Sequence, residues 1–196
     1  NAIVVGSFTS VANIGGTNLT SEGRRDLFIV KLDPVGGLIW GLSAGGKGYD
    51  SATDVAVDAA GNIVVVGSFE ESIANFLGTN VVNSSVSSYS DIFVARFNPA
   101  GALQWVRTLG KQFEQDHPAS VAIDAAGDIV VTGASMIDQF AGQPITNHGR
   151  ALIAKYSGAG AELWALKLGR ISTRVAAAPG AGGSVADAGH AVHTDA

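Results

Sequence analysis

One pattern of fifteen residues occurs three times in this chain, and that repetition constrains the fold more than any other feature. The copies are DLFIVKLDPVGGLIW at 26–40, DIFVARFNPAGALQW at 91–105 and RALIAKYSGAGAELW at 150–164. All three tryptophans of the chain occupy the last position of a copy. Self-similarity at a spacing of about 60 residues predicts a repeat architecture in which each unit stacks on its neighbours.

A second block repeats in the same order as the first. DSATDVAVDAAGNIVVVG at 50–67 matches DHPASVAIDAAGDIVVTG at 116–133, and AIVVGSF at 2–8 matches IVVVGSF at 63–69. Near the end of the sequence, SVADAGHAV at 184–192 resembles a degraded copy of the same block. We therefore expect the sequence to start and stop inside a repeat.

Each unit contains four short runs rich in Val, Ile and Phe, bounded by turn residues, which is typical of β-strands. In the second unit the runs are Asp91–Phe97, Leu103–Leu109, Ser120–Asp124 and Asp128–Gly133. Turns such as Asn98-Pro99-Ala100-Gly101 favour hairpins, so we expect the four strands to form one antiparallel meander. The inner strands are apolar on both faces, which indicates sheets that stack face to face.

The predicted fold is all-β, a β-propeller of four-stranded antiparallel blades with about three repeats present. We expect repeats over 1–170, with blade cores near 26–69, 91–135 and 150–169. The Ala- and Gly-rich segment 171–196 is interpreted as a degenerate blade, a linker or a tail. Three repeats do not close a ring of four to eight blades. A fragment of a longer protein, a ring completed by oligomerisation and an open array all remain alternatives.

The overall composition excludes several classes of function. The chain has 196 residues, 12 Lys and Arg against 17 Asp and Glu, and a net charge of −5, with no basic stripe, so we expect no nucleic-acid partner. It has no cysteine, which excludes disulfides, a thiolate zinc site and a cysteine nucleophile. No apolar run is long enough to span a bilayer, so we expect no transmembrane segment.

The residues of the repeat are similar to the bacterial β-propeller repeat called SBBP. The resemblance rests on Asp26–Val30, Gly36, Trp40, the Gly-Gly-x-Gly-x-Asp element at 45–50, and Val57–Gly67. It covers about residues 1–169, and it implies a propeller from a bacterial secreted or cell-surface protein. The third copy departs from the pattern, because Arg150 stands where aspartate is expected. The Asp33-to-Trp40 segment also resembles the tryptophan-docking motif of quinoprotein propellers, which implies that the ring wedges between blades.

Several polar residues recur and could carry chemistry, but each has a structural alternative that we favour. Asp58 and Asp124 fit turn-capping better than calcium binding. The glycines Gly45, Gly46 and Gly48 before Asp50, and the degraded element before Asp116, fit a tight turn better than an anion site. A basic residue occupies the same position of the repeated strand in all three copies, as Lys31, Arg96 and Lys155. We predict that each forms an ion pair with a repeated aspartate, rather than that the three form a ring that binds an anion.

The histidines do not form a recognisable catalytic or metal-binding pattern. His117 lies near Ser120 in sequence but without a nucleophile-elbow motif, and His148 has no counterpart in the other repeats. His190 and His193 have metal-compatible spacing without a nearby carboxylate pair. We therefore predict no catalytic residue, no cofactor-binding residue, no metal ligand and no cofactor.

Three long connections, 9–25, 70–90 and 134–149, differ in length and sequence while the strands repeat. Variable loops on a rigid scaffold are the usual place for binding, and their Asn, Ser, Thr and Gly content suits a protein or carbohydrate partner. The sequence thus predicts a non-enzymatic scaffold or binding module, and the resemblance to the SBBP repeat implies a secreted or cell-surface protein. The alternatives are a self-assembling structural subunit and a metal-dependent propeller hydrolase or lyase.

Overall fold

The computed structural model describes residues 1–71, 73–84, 89–145 and 150–168, and all of its regular elements are β-strands. The predicted tail 171–196 lies outside the described residues, as do His148, His190 and His193. In chain order the strands are β1 (Ala2–Phe8), β2 (Val11–Ile14), β3 (Thr17–Thr20), β4 (Asp26–Leu32), β5 (Leu38–Gly46), β6 (Ser51–Val57), β7 (Ile63–Phe69), β8 (Ile73–Phe76), β9 (Thr79–Val82), β10 (Asp91–Phe97), β11 (Leu103–Leu109), β12 (His117–Ile123), β13 (Ile129–Ala134), β14 (Gln139–Phe140), β15 (Gln143–Pro144), β16 (Ala151–Tyr156) and β17 (Glu162–Leu168).

Three large antiparallel sheets lie in sequence along the described part of the chain. The first has the order β1-β4-β5-β8-β9, the second β11-β10-β7-β6, and the third β12-β13-β16-β17. The all-β prediction is confirmed. The described residues form a row of three sheets and not a closed ring.

The grouping of strands into sheets corrects one expectation. The four runs between Asp91 and Gly133 do not form a single meander, because β10 and β11 lie in the second sheet and β12 and β13 in the third. The tight turns join neighbouring antiparallel strands, as expected. The long connection before Asp91 also joins two strands of the same sheet, β7 and β10, with Asp91 opposite Phe69. The short connection after Leu109 instead crosses to the next sheet. Hairpin signals identify neighbouring strands, but they do not say which pairs share a sheet.

The second sheet is buried on both faces, as its apolar strands predicted. Strand β10 alternates between two cores, because Phe93 and Ala95 pack with the first sheet while Ile92 and Val94 pack with the third. All four side chains are fully buried. Burial of apolar surface stabilises the fold by about 25 cal/mol per Å². Because β10 buries both of its faces, it contributes to the packing of the second sheet against the first and against the third.

The turn from Asn98 to Gly101 shows why the repeat contains its glycine. The Gly101 N–H donates to the Asn98 carbonyl over 2.9 Å, and the Asn98 side chain accepts from Ala100 and Ala102. Gly101 has a φ of 86°, a left-handed conformation that costs glycine little. The predicted hairpin turn is confirmed.

Candidate binding cleft

Each of the three connections predicted as loops contains a two-stranded hairpin. They contain the pairs β2–β3, β8–β9 and β14–β15. The second hairpin extends the first sheet, because Asn75 and Ala74 of β8 pair with Gly45 and Gly46 of β5. A connection within the second sheet therefore reaches back and adds two strands to the sheet before it.

Each of the first two hairpins contains a hydrogen bond between two asparagine side chains on its facing strands. The Asn75 side-chain amide donates to the Asn80 side-chain oxygen over 2.9 Å, and Asn13 donates to Asn18 over 2.6 Å. The Gly78 N–H also donates to the Asn75 side chain. These bonds span the turn from one strand to the other, so they fix the shape of each hairpin tip.

Buried aspartates hold the bases of these hairpins. Asp50 is fully buried, and its two oxygens accept from the Gly46 N–H over 2.6 Å and the Glu70 N–H over 3.2 Å. Asp26 accepts from the Ser21 hydroxyl over 2.9 Å and the Glu22 N–H over 3.1 Å. Asp50 thus connects the end of β5 to the start of the second hairpin, and Asp26 closes the end of the first.

The same arrangement recurs one repeat later. Asp91 accepts from the backbone and hydroxyl of Ser84, and Asp116 accepts from the backbone of Lys111 and Met136. In the third copy Arg150 replaces the first aspartate and lies 3.6 Å from Glu114, a partly exposed ion pair. The anchoring aspartates are therefore a property of the repeat and not of a single site.

Burial changes the acid–base behaviour of these carboxyl groups. It raises the pKa of Asp50 from 3.8 to about 7, although the hydrogen bonds from Gly46 and Glu70 act in the opposite direction. Burial also raises the pKa of Asp116 to about 6, against the hydrogen bonds from Ser135, Lys111 and Met136. Removing a carboxylate from water without a cation beside it disfavours its charged form.

A cleft of about 600 Å³ is lined by residues of the second hairpin and of the end of β5, together with charged side chains from neighbouring loops. A smaller pocket of about 90 Å³ adjoins it, lined in part by Asp26, Ser43 and Leu77. The residues that line the cleft are Glu22, Gly45, Gly46, Lys47, Glu71, Asn75 and Asn80. The cleft therefore presents charged groups of both signs and two side-chain amides, which can donate hydrogen bonds to a ligand and accept them from it. The oxygens of Asp50 beneath them are already engaged with the backbone.

The other aspartates singled out in the sequence cap their turns. Asp58 accepts from the backbone and side chain of Asn62, and Asp124 accepts from the Ala126 and Asp128 N–H groups. This confirms the turn-capping interpretation. Within the ranges described, no group of three or more His, Asp and Glu residues is arranged to hold a metal ion.

The basic residues of the repeat contact these turns. Arg96 lies 2.7 Å from Asp58, and Lys155 lies 2.8 Å from Asp124, so two of the predicted ion pairs are confirmed. Lys31 differs, because its ammonium group donates to the Pro99 carbonyl of the next sheet over 2.8 Å. Arg96 and Lys155 therefore form ion pairs within their own sheets, and Lys31 alone of the three reaches the next sheet.

The tryptophans pack each sheet against the next. The Trp40 indole N–H donates to the Pro99 carbonyl over 3.3 Å, and the Trp105 indole N–H donates to the Gly158 carbonyl over 3.1 Å. Pro99 and Gly158 hold equivalent positions in the turns of successive repeats. The predicted wedge between neighbouring sheets is confirmed for both tryptophans.

Ser120 and His117 do not form a catalytic pair. The Ser120 hydroxyl donates to Asp54 over 2.7 Å, and the Val121 N–H donates to the same oxygen over 2.9 Å. His117 is exposed at the start of β12. Asp54 thus connects the second sheet to the third.

Sequence reasoning did not assign roles to Asp26, Asp91 or Asp54. The first two begin the repeated strand, and their recurrence was the available signal. Asp54 belongs to the second repeated block, but its bonds to another sheet leave no local pattern. Gly48, weighed as part of an anion site, packs instead against Glu70 and Glu71.

Among the described residues, no helix has the length and hydropathy that a membrane span requires. No family model matches the sequence. The chain is 25% identical over 187 residues to an uncharacterized WD repeat-containing protein, L264, of Acanthamoeba polyphaga mimivirus. It is 31% identical over 133 residues to the regulatory protein FlaEY of Caulobacter vibrioides.

The alignments cover 82% and 66% of this chain but only 13% and 14% of those relatives. The similarity to a WD repeat protein agrees with successive antiparallel sheets of four or five strands, because WD repeats build propeller blades of four strands. The comparisons and the three sheets together support an all-β repeat protein of the propeller type.

Proposed function

We propose that this chain is a non-enzymatic repeat module of the propeller type that binds a protein partner in the cleft beside hairpin β8–β9. One observation carries the proposal: this hairpin is paired to β5 and anchored at its base by Asp50, so the cleft has walls that are formed before a ligand arrives. A preorganised site avoids the entropic cost of ordering loops on binding.

The chemistry of the walls favours an extended polypeptide segment. Glu22, Glu71 and Lys47 present both signs of charge, and Asn75 and Asn80 present amides. A peptide supplies backbone donors and acceptors together with side chains of either charge. A neutral glycan is the second candidate, because it matches the amides, but it leaves the three charged groups without charged partners.

The test is selection from a random peptide library on the 196-residue chain, followed by affinity measurements with Asn80→Ala. A matched control is Asn18→Ala, which removes the equivalent side-chain pair from the first hairpin, away from the cleft-lining residues. We expect Asn80→Ala to weaken the selected peptides about tenfold, or about 1.4 kcal/mol, and Asn18→Ala to leave them unchanged.

Two outcomes would overturn the proposal. One is a library that yields no saturable binder. The other is a set of peptides that bind wild type and Asn80→Ala equally. Saturable binding on a glycan array without peptide binders would replace the peptide with a carbohydrate.

We further propose that the module is of the SBBP type and acts in a secreted or cell-surface protein of a bacterium. The resemblance of Asp26–Val30, Gly36 and Trp40 to that repeat supports this. Antibodies against the chain should label intact cells of the source organism. Labelling only after permeabilisation would contradict an external location.

A further inference from the structure

Two buried carboxyl groups meet where hairpin β8–β9 joins the first sheet. A Cβ placed on Gly45 would lie 2.7 Å from Oδ2 of Asp50 and 3.0 Å from Oδ1 of Asp26. The exposed fractions of the two aspartates are 0% and 2%. Gly45 itself pairs with Asn75 of β8. The two carboxyl groups, named here the carboxyl clamp, therefore lie together beside the residue through which the hairpin pairs with β5.

The Asp50 half of the clamp links the two segments that form the base of this hairpin. Its Oδ2 accepts from the Gly46 N–H at the end of β5, and its Oδ1 accepts from the Glu70 N–H in the loop that enters the hairpin. Separation of the hairpin from β5 breaks this link and opens the buried pair to water. The protonation of the clamp is therefore coupled to the opening of the hairpin base.

The charges that act on Asp50 are negative. Within the described ranges, no salt bridge involves Asp26 or Asp50. Burial raises the pKa of Asp50 to about 7, and the charges of Asp26 on β4 and Glu70 after β7 act in the same direction. Arg24 acts on Glu70. The other charged or titratable side chains on the adjoining segments are exposed or partly exposed, and they are Glu22, Arg24, Arg25, Lys47, Tyr49 and Glu71.

The equivalent junction of the next repeat has an additional attachment. Lys111 donates its N–H to Asp116 as Gly46 does to Asp50. The Lys111 side chain also forms an ion pair with Asp138, 3.0 Å away before hairpin β14–β15. Glycine has no side chain to form such a pair. Hairpin β8–β9 thus depends on the carboxyl clamp where hairpin β14–β15 has a second, charged attachment.

We propose that the Asp26–Asp50 pair is a pH-sensitive clamp on the binding cleft, closed while the two carboxyl groups share one proton and loosened when both are ionised. Two negative charges then lie close together out of water without a cation, which disfavours the closed state. The clamp supports one wall of the cleft, so the apparent affinity of a partner falls with the fraction of molecules in which the base is closed. This consequence rests on the proposed function, whereas the clamp itself does not.

The experiment measures amide hydrogen exchange of the 196-residue chain by NMR between pH 5 and pH 7.5. We expect the protection factors of the Gly46 and Glu70 amides to fall with rising pH by up to about tenfold per pH unit, and to level off above pH 7. They should stay below those of the β10 amides, because the opening is local. Asp50→Asn should remove the slope, and Asp26→Asn should reduce it. Glu70→Gln is the matched control and should keep it.

Protection factors at Gly46 and Glu70 that do not change with pH, or that equal those of β10, would overturn the clamp. Selected peptides without Asp, Glu or His should bind wild type at least about threefold more weakly at pH 7.5 than at pH 5.5. They should bind Asp50→Asn equally at both pH values. Equal binding by wild type at both would overturn the regulation and leave the peptide-binding function standing. Absence of any peptide binder would overturn that function, and the exchange data would still decide the clamp.

Discussion

The indole ring of Trp105 lies directly over Gly160, which belongs to the neighbouring sheet and has no side chain. A Cβ at Gly160 would lie 2.7 Å from the ring, inside any normal contact distance. The φ of Gly160 is 81°, so glycine is required there both for the backbone and for the space. The repeat therefore uses one tryptophan and one glycine, in different sheets, as the two halves of a contact.

Replacing Trp105 with alanine should destabilise the chain by about 3 kcal/mol, because a large ring packed between two sheets is removed and a void is left. Trp164→Ala should cost less than about 0.5 kcal/mol in the monomer, since that ring is 42% exposed. Urea unfolding of both variants at low protein concentration measures the difference. Equal losses would mean that the Trp105 ring does not pack as described.

Replacing Arg96 with methionine should cost about 3 kcal/mol. The side chains of Arg96 and Asp58 are only 11% and 14% exposed, and removal of one partner leaves a nearly buried carboxylate without its cation. Lys111→Met breaks a pair whose side chains are 43% and 68% exposed, so we expect a change below about 1 kcal/mol. The comparison fails if the two substitutions have the same effect on the free energy of unfolding.

Asp50 should make the chain less stable as the pH rises. Its pKa is about 7 in the folded state against 3.8 ordinarily, so the native state binds more protons than the unfolded state between these values. The free energy of unfolding then falls from pH 4 to pH 7, by at most about 4 kcal/mol from this group. Asp50→Asn should flatten this part of the profile. The substitution also removes a hydrogen-bond acceptor, which lowers the free energy of unfolding by the same amount at every pH.

A control of opposite sign is available in Asp124. The hydrogen bond from Lys155 lowers the pKa of Asp124, so its stabilisation is present above pH 4 and is lost as the pH falls further. Asp124→Asn should therefore change the acid end of the profile and leave the slope between pH 4 and pH 7 as in wild type. Urea unfolding across the pH range measures both variants. Parallel curves for wild type and Asp50→Asn would show that Asp50 titrates normally.

Much of the fold was predictable from the sequence, because local patterns decide local structure. The hairpin turns at Asp58 and Asn98 follow from their Asp, Asn, Pro and Gly residues, and the ion pair of Arg96 follows from the rule that charges in apolar strands need partners. The recurrence of Trp40 and Trp105 correctly indicated a packing role. All of these features repeat, and repetition makes them visible.

Other features depend on contacts between distant segments and were not predicted. The second sheet ends with β11 at Leu109, and the next strand belongs to the third sheet. No turn motif in the sequence indicates which connections stay within a sheet and which cross to the next. The pairing of Asn75 with Gly45 forms one wall of the cleft from segments of different repeats. The bond from Ser120 to Asp54 likewise joins two sheets, so neither residue identifies the other in the sequence.

The most direct test of the stacked-sheet account is a double-mutant cycle between Trp105 and Gly160. Gly160→Ala alone suffers backbone strain and a clash with the ring, while in the Trp105→Ala background only the strain remains. We predict that Gly160→Ala costs at least about 1 kcal/mol less in that background than in wild type, a coupling typical of residues in contact. Additive free energies of unfolding would contradict the account, because they would show that the tryptophan of one sheet does not lie on the turn of the next.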